Sequence, residues 1–211
     1  EKGNHDYLSP EYFELLRYAV EQARDRGMEF SVNFGGPGWI WGGDWVPKED
    51  QSKVLLASMI ALDGPRTYAG PLPLAAAPNP NDLPRSTPAI APEDRLLKVV
   101  AARVADGRLE AGSLADISSL AQGRDITWEV PDGRWQLMAF WLTQRDNANA
   151  VDHLSEEAMG RYCEALGAQY AAAIGRHFGK TVESFFGDSF EVPIYRNGIY
   201  WTDGLFDRFK E

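Results

Sequence analysis

Cysteine is nearly missing from this chain: Cys163 is the only one in 211 residues. An intrachain disulfide is excluded, and cysteine usage fixes no redox compartment. No apolar run approaches the roughly 18 residues of a membrane-crossing helix. Positive charge is scarce, with 21 Lys and Arg against 31 Asp and Glu and a net charge of −10. That balance works against nucleic acid and anionic membrane surfaces, which are themselves negative, and leaves neutral ligands such as glycans open. Several chemical signatures are also absent. The glycine-rich stretch has neither Gly-x-Gly-x-x-Gly nor Gly-Lys-Ser/Thr, so it is no phosphate cradle. His5, His153 and His177 have no metal-ligand spacing, and with a lone Cys a zinc site is disfavoured. Ser189 lacks the Gly-x-Ser-x-Gly elbow of a serine hydrolase. The first six residues, Glu1 to Asp6, have no leader-like pattern, and the chain closes inside the helix-like run Phe206–Glu211. Both features lead us to expect a piece of a longer polypeptide.

Aromatic residues are abundant: seven Trp, eight Tyr and ten Phe. Rings at that density suit a core and equally suit clefts where flat sugar faces stack. Ser9-Pro10-Glu11 opens a helix, with a capping hydroxyl, Pro in the first turn and an acid at the positive end. Tyr12, Leu16, Val20 and Ala23 form its apolar face, and Gly27 ends it. A strand at 28–34 follows at once and runs into Gly35-Gly36-Pro37-Gly38-Trp39-Ile40-Trp41-Gly42-Gly43-Asp44-Trp45, which reads as a loop. Its indoles either stack on a sugar or pack back on the body. Pro47 starts a helix to about Leu62, with Val54, Leu55, Ser58, Met59 and Leu62 as the buried stripe. The Pro-rich segment 63–92 reads as an extended connection. Residues 93–145 carry a β signal: a strand at 96–104, a turn at Asp106-Gly107, and a hairpin over 125–143 around Pro131-Asp132-Gly133-Arg134.

A third helix is capped by Ser155, with Met159, Tyr162, Cys163, Leu166, Tyr170 and Ile174 on its stripe. Gly179 ends it, and an apolar strand at 182–187 leads to Asp188-Ser189-Phe190-Glu191. Helix–Gly–strand therefore occurs twice, which points to parallel α/β architecture. In such folds the carboxyl ends of strands carry the chemistry. Asp188 and Glu191 can do acid/base work on a sugar or hold a cation; their plainer roles are a turn cap and a solvated acid. Asp152 and His153 also follow a strand, either as ligand-binding groups or as a helix-capping Asp and a surface His. After Glu191 comes a second aromatic loop with Tyr195, Tyr200 and Trp201, then a closing helix with Leu205, Phe206 and Phe209 inward.

Several stretches, in this order and spacing, are similar to one family. They are Tyr7-Leu8-Ser9-Pro10-Glu11-Tyr12-Phe13; Gly38-Trp39 with Gly42-Gly43-Asp44-Trp45-Val46; Pro131-Asp132-Gly133-Arg134-Trp135; Val151-Asp152-His153-Leu154-Ser155; Asp188-Ser189-Phe190-Glu191; and Trp201-Thr202. Together they resemble the catalytic region of glycoside hydrolase family 106, the α-L-rhamnosidases. The resemblance implies a (β/α)8 barrel, of which about half is present, with a small β excursion inserted. It divides the chain into a first barrel part (1–62), a Pro-rich connection with the β insertion (63–134), and continuing barrel units (135–211). It also implies inverting cleavage of terminal α-L-rhamnose from glycans, a calcium ion near the sugar, and export to the periplasm or outside the cell. Glu191 matches a catalytic carboxylate and is the expected general acid. Inversion needs a second carboxylate about 6.5–9.5 Å away; Glu49 is a candidate, Asp188 is close in sequence, and the partner can also lie beyond Glu211. Asp188, Trp39, Trp41, Trp45, Asp152, His153 and Trp201 are the expected sugar-binding residues. Two alternatives stay open: a non-catalytic carbohydrate-binding fragment, and a different barrel enzyme that uses Asp188 for a metal.

Overall fold

The computed structural model describes residues 5–34, 42–74, 90–144, 149–187 and 198–211. The chain divides into two compact units, Glu1–Ser52 with Asp146–Pro193 and Lys53–Arg145 with Ile194–Glu211. Strands are numbered β1 to β9 and helices α1 to α3 along the chain.

In the first unit, helix α1 spans Pro10–Asp25. It starts as its sequence dictates: the Ser9 hydroxyl accepts the Tyr12 N–H at 3.1 Å, with Pro10 in the first turn. Gly27, at φ +65°, turns the chain into β1 (Phe30–Asn33). Helix α2 (Glu156–Ile174) repeats the arrangement, with the Ser155 hydroxyl accepting the Ala158 N–H at 3.2 Å. Gly179, at φ +66°, precedes β8 (Val182–Phe186). The two strands delivered in this way pair in parallel, Ser31 opposite Ser184 and Asn33 opposite Phe186. Val20, Leu166, Tyr170 and Ile174 are fully buried against Val32 and Val182 of the strands. Cys163, expected on the α2 stripe, is exposed instead. One residue's step from Tyr162 rotates it about 100° around the helix axis.

The second unit is a seven-stranded sheet. Strand β2 (Lys53–Pro71) pairs antiparallel with β7 (Asp125–Thr143), each 19 residues long. Strand β3 (Arg95–Ala105) joins the other side of β7, and β9 (Gly198–Trp201) the other side of β2. Three two-residue strands complete it: β4 (Arg108–Leu109), β5 (Ala115–Asp116) and β6 (Ala121–Gln122). Leu56, Val99, Leu137, Ala139 and Trp141 form its core. Within it, the Trp141 indole N–H donates to the Ser58 hydroxyl at 2.9 Å, and that hydroxyl donates to the Pro73 carbonyl at 2.6 Å.

Three expectations are corrected here. The helix expected over 47–62 is only a 3-10 turn at Lys48–Asp50 followed by β2. Val54, Leu56, Ser58 and Leu62, all buried, lie on one face of a strand. Val54, Leu55, Ser58, Met59 and Leu62 fit helical spacing equally well, and a 19-residue ladder of cross-strand bonds decides the matter. The hairpin expected over 125–143 is one continuous strand. Its turn-forming residues sit in an irregularity where Gly64 faces Gly133 and Arg66 faces Val130, leaving Pro131 and Asp132 opposite one residue, Pro65. That is a bulge rather than a reversal. Finally, Phe206 and Phe209 of α3 (Leu205–Lys210), expected inward, are exposed.

The architecture is mixed α/β, and among the described residues only β1 and β8 of the named strands run parallel. No helix among the described residues is long and apolar enough to cross a membrane.

Candidate functional site

The parallel pair fixes where two stretches leave the sheet. The Phe34 N–H donates to the Phe186 carbonyl at 3.0 Å, one step beyond the last paired residues. The chain leading to Trp39 and Trp41 and the chain leading to Asp188 and Glu191 therefore depart side by side at one carboxyl edge. Trp39, Trp41, Asp188 and Glu191 themselves lie outside the described residues.

A second element is built at the start of α2. Residues 42–52 are laced to residues 149–152 by bridges at Gly42–Ala150 and Gln51–Val151. The Ser52 N–H donates to the Ala150 carbonyl at 2.7 Å, and the Asp152 N–H to the Asp50 carbonyl at 2.7 Å. Gly42 permits this approach, because a Cβ there would stand 2.4 Å from the Asn149 carbonyl oxygen. Trp45 is laid on Tyr162 of α2, ring centroids 4.8 Å apart and planes 25° from parallel. Gly43 makes room for the indole: its φ is +144°, and a Cβ there would come within 2.7 Å of Trp45 Nε1. Next to the stacked pair, Arg161 grips Asp50 through both arms, Nε to Oδ2 at 2.9 Å and Nη2 to Oδ1 at 2.5 Å. The Asp50 side chain is only 5% exposed, whereas that of Arg161 is 60% exposed. A buried carboxylate thus fixes a guanidinium that still faces water. The hydrogen bonds Arg161 donates to Asp50, and then the charge of Asp50, hold the Arg161 pKa above its ordinary value.

These groups enclose an open cavity of about 170 Å³, lined by Trp45, Val46, Pro47, Asp50, Val151, Ala158, Arg161, Tyr162 and Ala165. Tyr170, farther along α2, hydrogen-bonds the Asn33 carbonyl at 3.3 Å and so stands level with the end of β1. At 1.5 Å per residue, the helix from Tyr170 back to Tyr162 extends about 12 Å past that edge. The cavity is therefore on the carboxyl side of the parallel pair.

Of the residues singled out in the sequence, Trp45 lines this cavity. Glu49 is exposed on the adjoining 3-10 turn. Asp152 is 2% exposed, and its Oδ1 accepts the Leu154 N–H at 3.1 Å, the turn-capping arrangement its plainer reading anticipates. His153 is not a surface imidazole. Both ring nitrogens are shielded from solvent, and burial lowers its pKa below the usual range. Trp201 belongs to the second unit, on β9 opposite Lys53. Sequence reasoning missed Asp50, Arg161 and Tyr162 as site residues. Asp50 and Arg161 are 111 positions apart, and Asp50 stands in the polar run Lys48–Lys53, which gives no local hint of its burial. Among the described residues, no three His, Cys, Asp or Glu side chains gather as a metal site.

Residues 2–84 match the family described as alpha-L-rhamnosidase, glycoside hydrolase family 106. The resemblance read from the sequence is thereby borne out over part of the chain. Among solved structures, the chain is similar to a rhamnosidase from Novosphingobium sp. PP1Y, with a TM-score of 0.53 and 14% identity, covering 100% of this chain and 36% of that one. At that identity the likeness concerns the fold. The chain spans about a third of the length of that structure. No curated protein matches it.

Proposed function

We propose that this chain is the part of a glycoside hydrolase barrel that carries the acid catalyst, and that the whole enzyme removes terminal α-L-rhamnose or a related sugar from glycans with inversion. The observation that supports this reading is the parallel register of β1 and β8. It sends the indole-rich loop and the Asp188–Glu191 segment out of the sheet as neighbours, where barrels carry their chemistry. On this reading β1 and β8 are two staves of a (β/α)8 barrel, with α2 packing outside them.

Glu191 gives its proton to the glycosidic oxygen as the bond to the sugar carbon breaks. A second carboxylate, held about 6.5–9.5 Å away, takes a proton from the water that attacks the opposite face. Within the chain Glu49 is the candidate for that base. Trp39, Trp41 and Trp45 supply stacking surfaces, and Asp188 binds hydroxyls. A calcium ion beside the sugar would draw its ligands from outside the described residues. Export from the cytoplasm is part of the same proposal.

The test is Glu191→Gln in the full-length protein, assayed on an aryl α-L-rhamnoside. General acid catalysis contributes roughly 10²–10⁴-fold, so turnover should fall by at least a hundredfold with the fold unchanged by circular dichroism. Undiminished hydrolysis removes Glu191 from the mechanism. A second reading, a non-catalytic glycan binder, draws support from the cavity at Trp45, which forms without any contribution from Glu191. Calorimetric binding of oligosaccharides with no release of sugar by the full-length protein would favour it.

A further inference from the structure

The cavity at the start of α2 is built from groups that the rhamnosidase reading does not require, and its chemistry is specific. Its apolar wall is Trp45, held from behind by the buried Tyr162, Val46, Val151 and Ala158. Its polar edge is the guanidinium of Arg161. Arg161 bonds Asp50 through Nε and Nη2, and its Nη1 makes no hydrogen bond among the described residues. Asp50 answers the positive charge of Arg161, and Glu157 and Glu49 add negative charge around it. A site with one aromatic wall, one fixed hydrogen-bonding fork and a cation already matched by carboxylates suits a molecule with an apolar face and a hydroxyl edge. Its volume of about 170 Å³ falls below the roughly 300–1,000 Å³ of pockets for larger ligands, and a single ring is the matching size.

We propose that this cavity is an accessory subsite that holds one neutral sugar ring, with Trp45, backed by Tyr162, against the ring and Arg161 donating to its hydroxyls. The proposal deepens the glycan-processing reading and rests on it for the class of ligand. It assigns Arg161 to glycan binding and Asp50 and Tyr162 to positioning Arg161 and Trp45, roles that neither the family resemblance nor the sequence pattern gives them. The site lies on the carboxyl side of the β1–β8 pair. A glycan whose terminal residue is cleaved near Glu191 would leave another residue here, so the subsite would act on affinity for chains and not for simple glycosides.

Two variants separate the site from its scaffold. Ala165 is an exposed residue of the lining, and Ala165→Trp fills the cavity without touching the core. Arg161→Lys keeps a cation beside Asp50 but loses the fork. The 211-residue protein is titrated by saturation-transfer NMR with L-rhamnose, methyl α-D-glucopyranoside, D-galacturonate and cyclohexanol, with circular dichroism as the control for folding. At least one neutral sugar should bind, weakened at least tenfold by Ala165→Trp and several-fold by Arg161→Lys. Binding that Ala165→Trp leaves unchanged overturns the site. A preference for galacturonate makes Arg161 an anion reader and overturns the neutral-sugar assignment, as does binding of cyclohexanol alone. Glu191→Gln discriminates this proposal from the catalytic one: it should abolish hydrolysis in the full-length enzyme and leave Ala165→Trp-sensitive sugar binding intact. Hydrolysis that survives Glu191→Gln sinks the catalytic assignment and leaves the cavity standing.

Discussion

Removing the Tyr170 hydroxyl tests how the carboxyl edge is held in place. Tyr170 is fully buried, and its hydroxyl meets Tyr12 Oη at 2.9 Å, the Asn33 carbonyl at 3.3 Å and Tyr7 Oη at 3.4 Å. It thereby ties α2 to α1 and to the last residue of β1. Burial, followed by the hydrogen bonds with Tyr12 and Tyr7, raises its pKa far above the usual phenol value, so it stays a neutral donor across the working pH range. In Tyr170→Phe the ring stays and the hydroxyl goes. Asn33 is exposed and Tyr12 half-buried, so both former partners can turn to water, and only the 2.9 Å bond is short enough to count fully. The expected loss is therefore that of one ordinary hydrogen bond, about 1–1.5 kcal/mol. Tyr170→Ala also empties the ring's place against Phe13 and Phe34 and should cost about 3–5 kcal/mol. The two units need not unfold together, so amide hydrogen exchange on α2 and β1 is the suitable readout. Tyr170→Phe should raise exchange there about five- to tenfold. Exchange equal to wild type would show that the hydroxyl cluster ties nothing, and a Tyr170→Phe loss as large as that of Tyr170→Ala would refute the split between packing and bonding.

Two further outcomes follow from the fold. His177 is buried, its Nε2 accepts from Arg176 Nε at 3.1 Å, and burial together with the charges of Arg176, Arg24 and Lys180 lowers its pKa, with Glu21 opposing them. The unfolded chain therefore takes up the proton first, and stability is lost as pH falls below about 6.5; urea midpoints at pH 7 and pH 5 should differ by less in His177→Gln than in wild type, and equal slopes would exclude His177 as the cause. In the second unit, Gly64→Ala would place a Cβ 1.9 Å from the Pro131 carbonyl oxygen, a backbone atom; it should cost about 1–3 kcal/mol or more, read as a lower melting temperature by the tryptophan fluorescence of that unit, and an unchanged melt would refute the bulge geometry.

Much of the first unit was legible in the sequence because its signals are local. Ser9-Pro10 and Ser155 mark helix starts, Gly27 and Gly179 mark helix ends, and each carries out in the structure the role its chemistry gives it. The second unit was misread where local signals compete with long-range pairing. Residues 53–62 are apolar on both faces, so helical and strand periods fit alike, and Pro131-Asp132-Gly133 has turn chemistry that the sheet absorbs as a bulge. Trp45 was legible as a site residue because three indoles on a glycine-rich loop are unusual. Arg161 was not, because its meaning comes from Asp50, which reaches it only once residues 42–52 are laced to the start of α2.

That lacing bears on how the polypeptide is made. The first two elements leave the ribosome early, but β1 has no partner until Val182–Phe186 has been translated. The long antiparallel ladder between them is complete once Thr143 emerges, apart from the closing strand at Gly198–Trp201. A nascent chain therefore assembles its middle before its beginning, and β1 waits for β8, synthesised about 150 codons later. Slow translation between those points would lengthen the interval in which that edge is open to wrong partners.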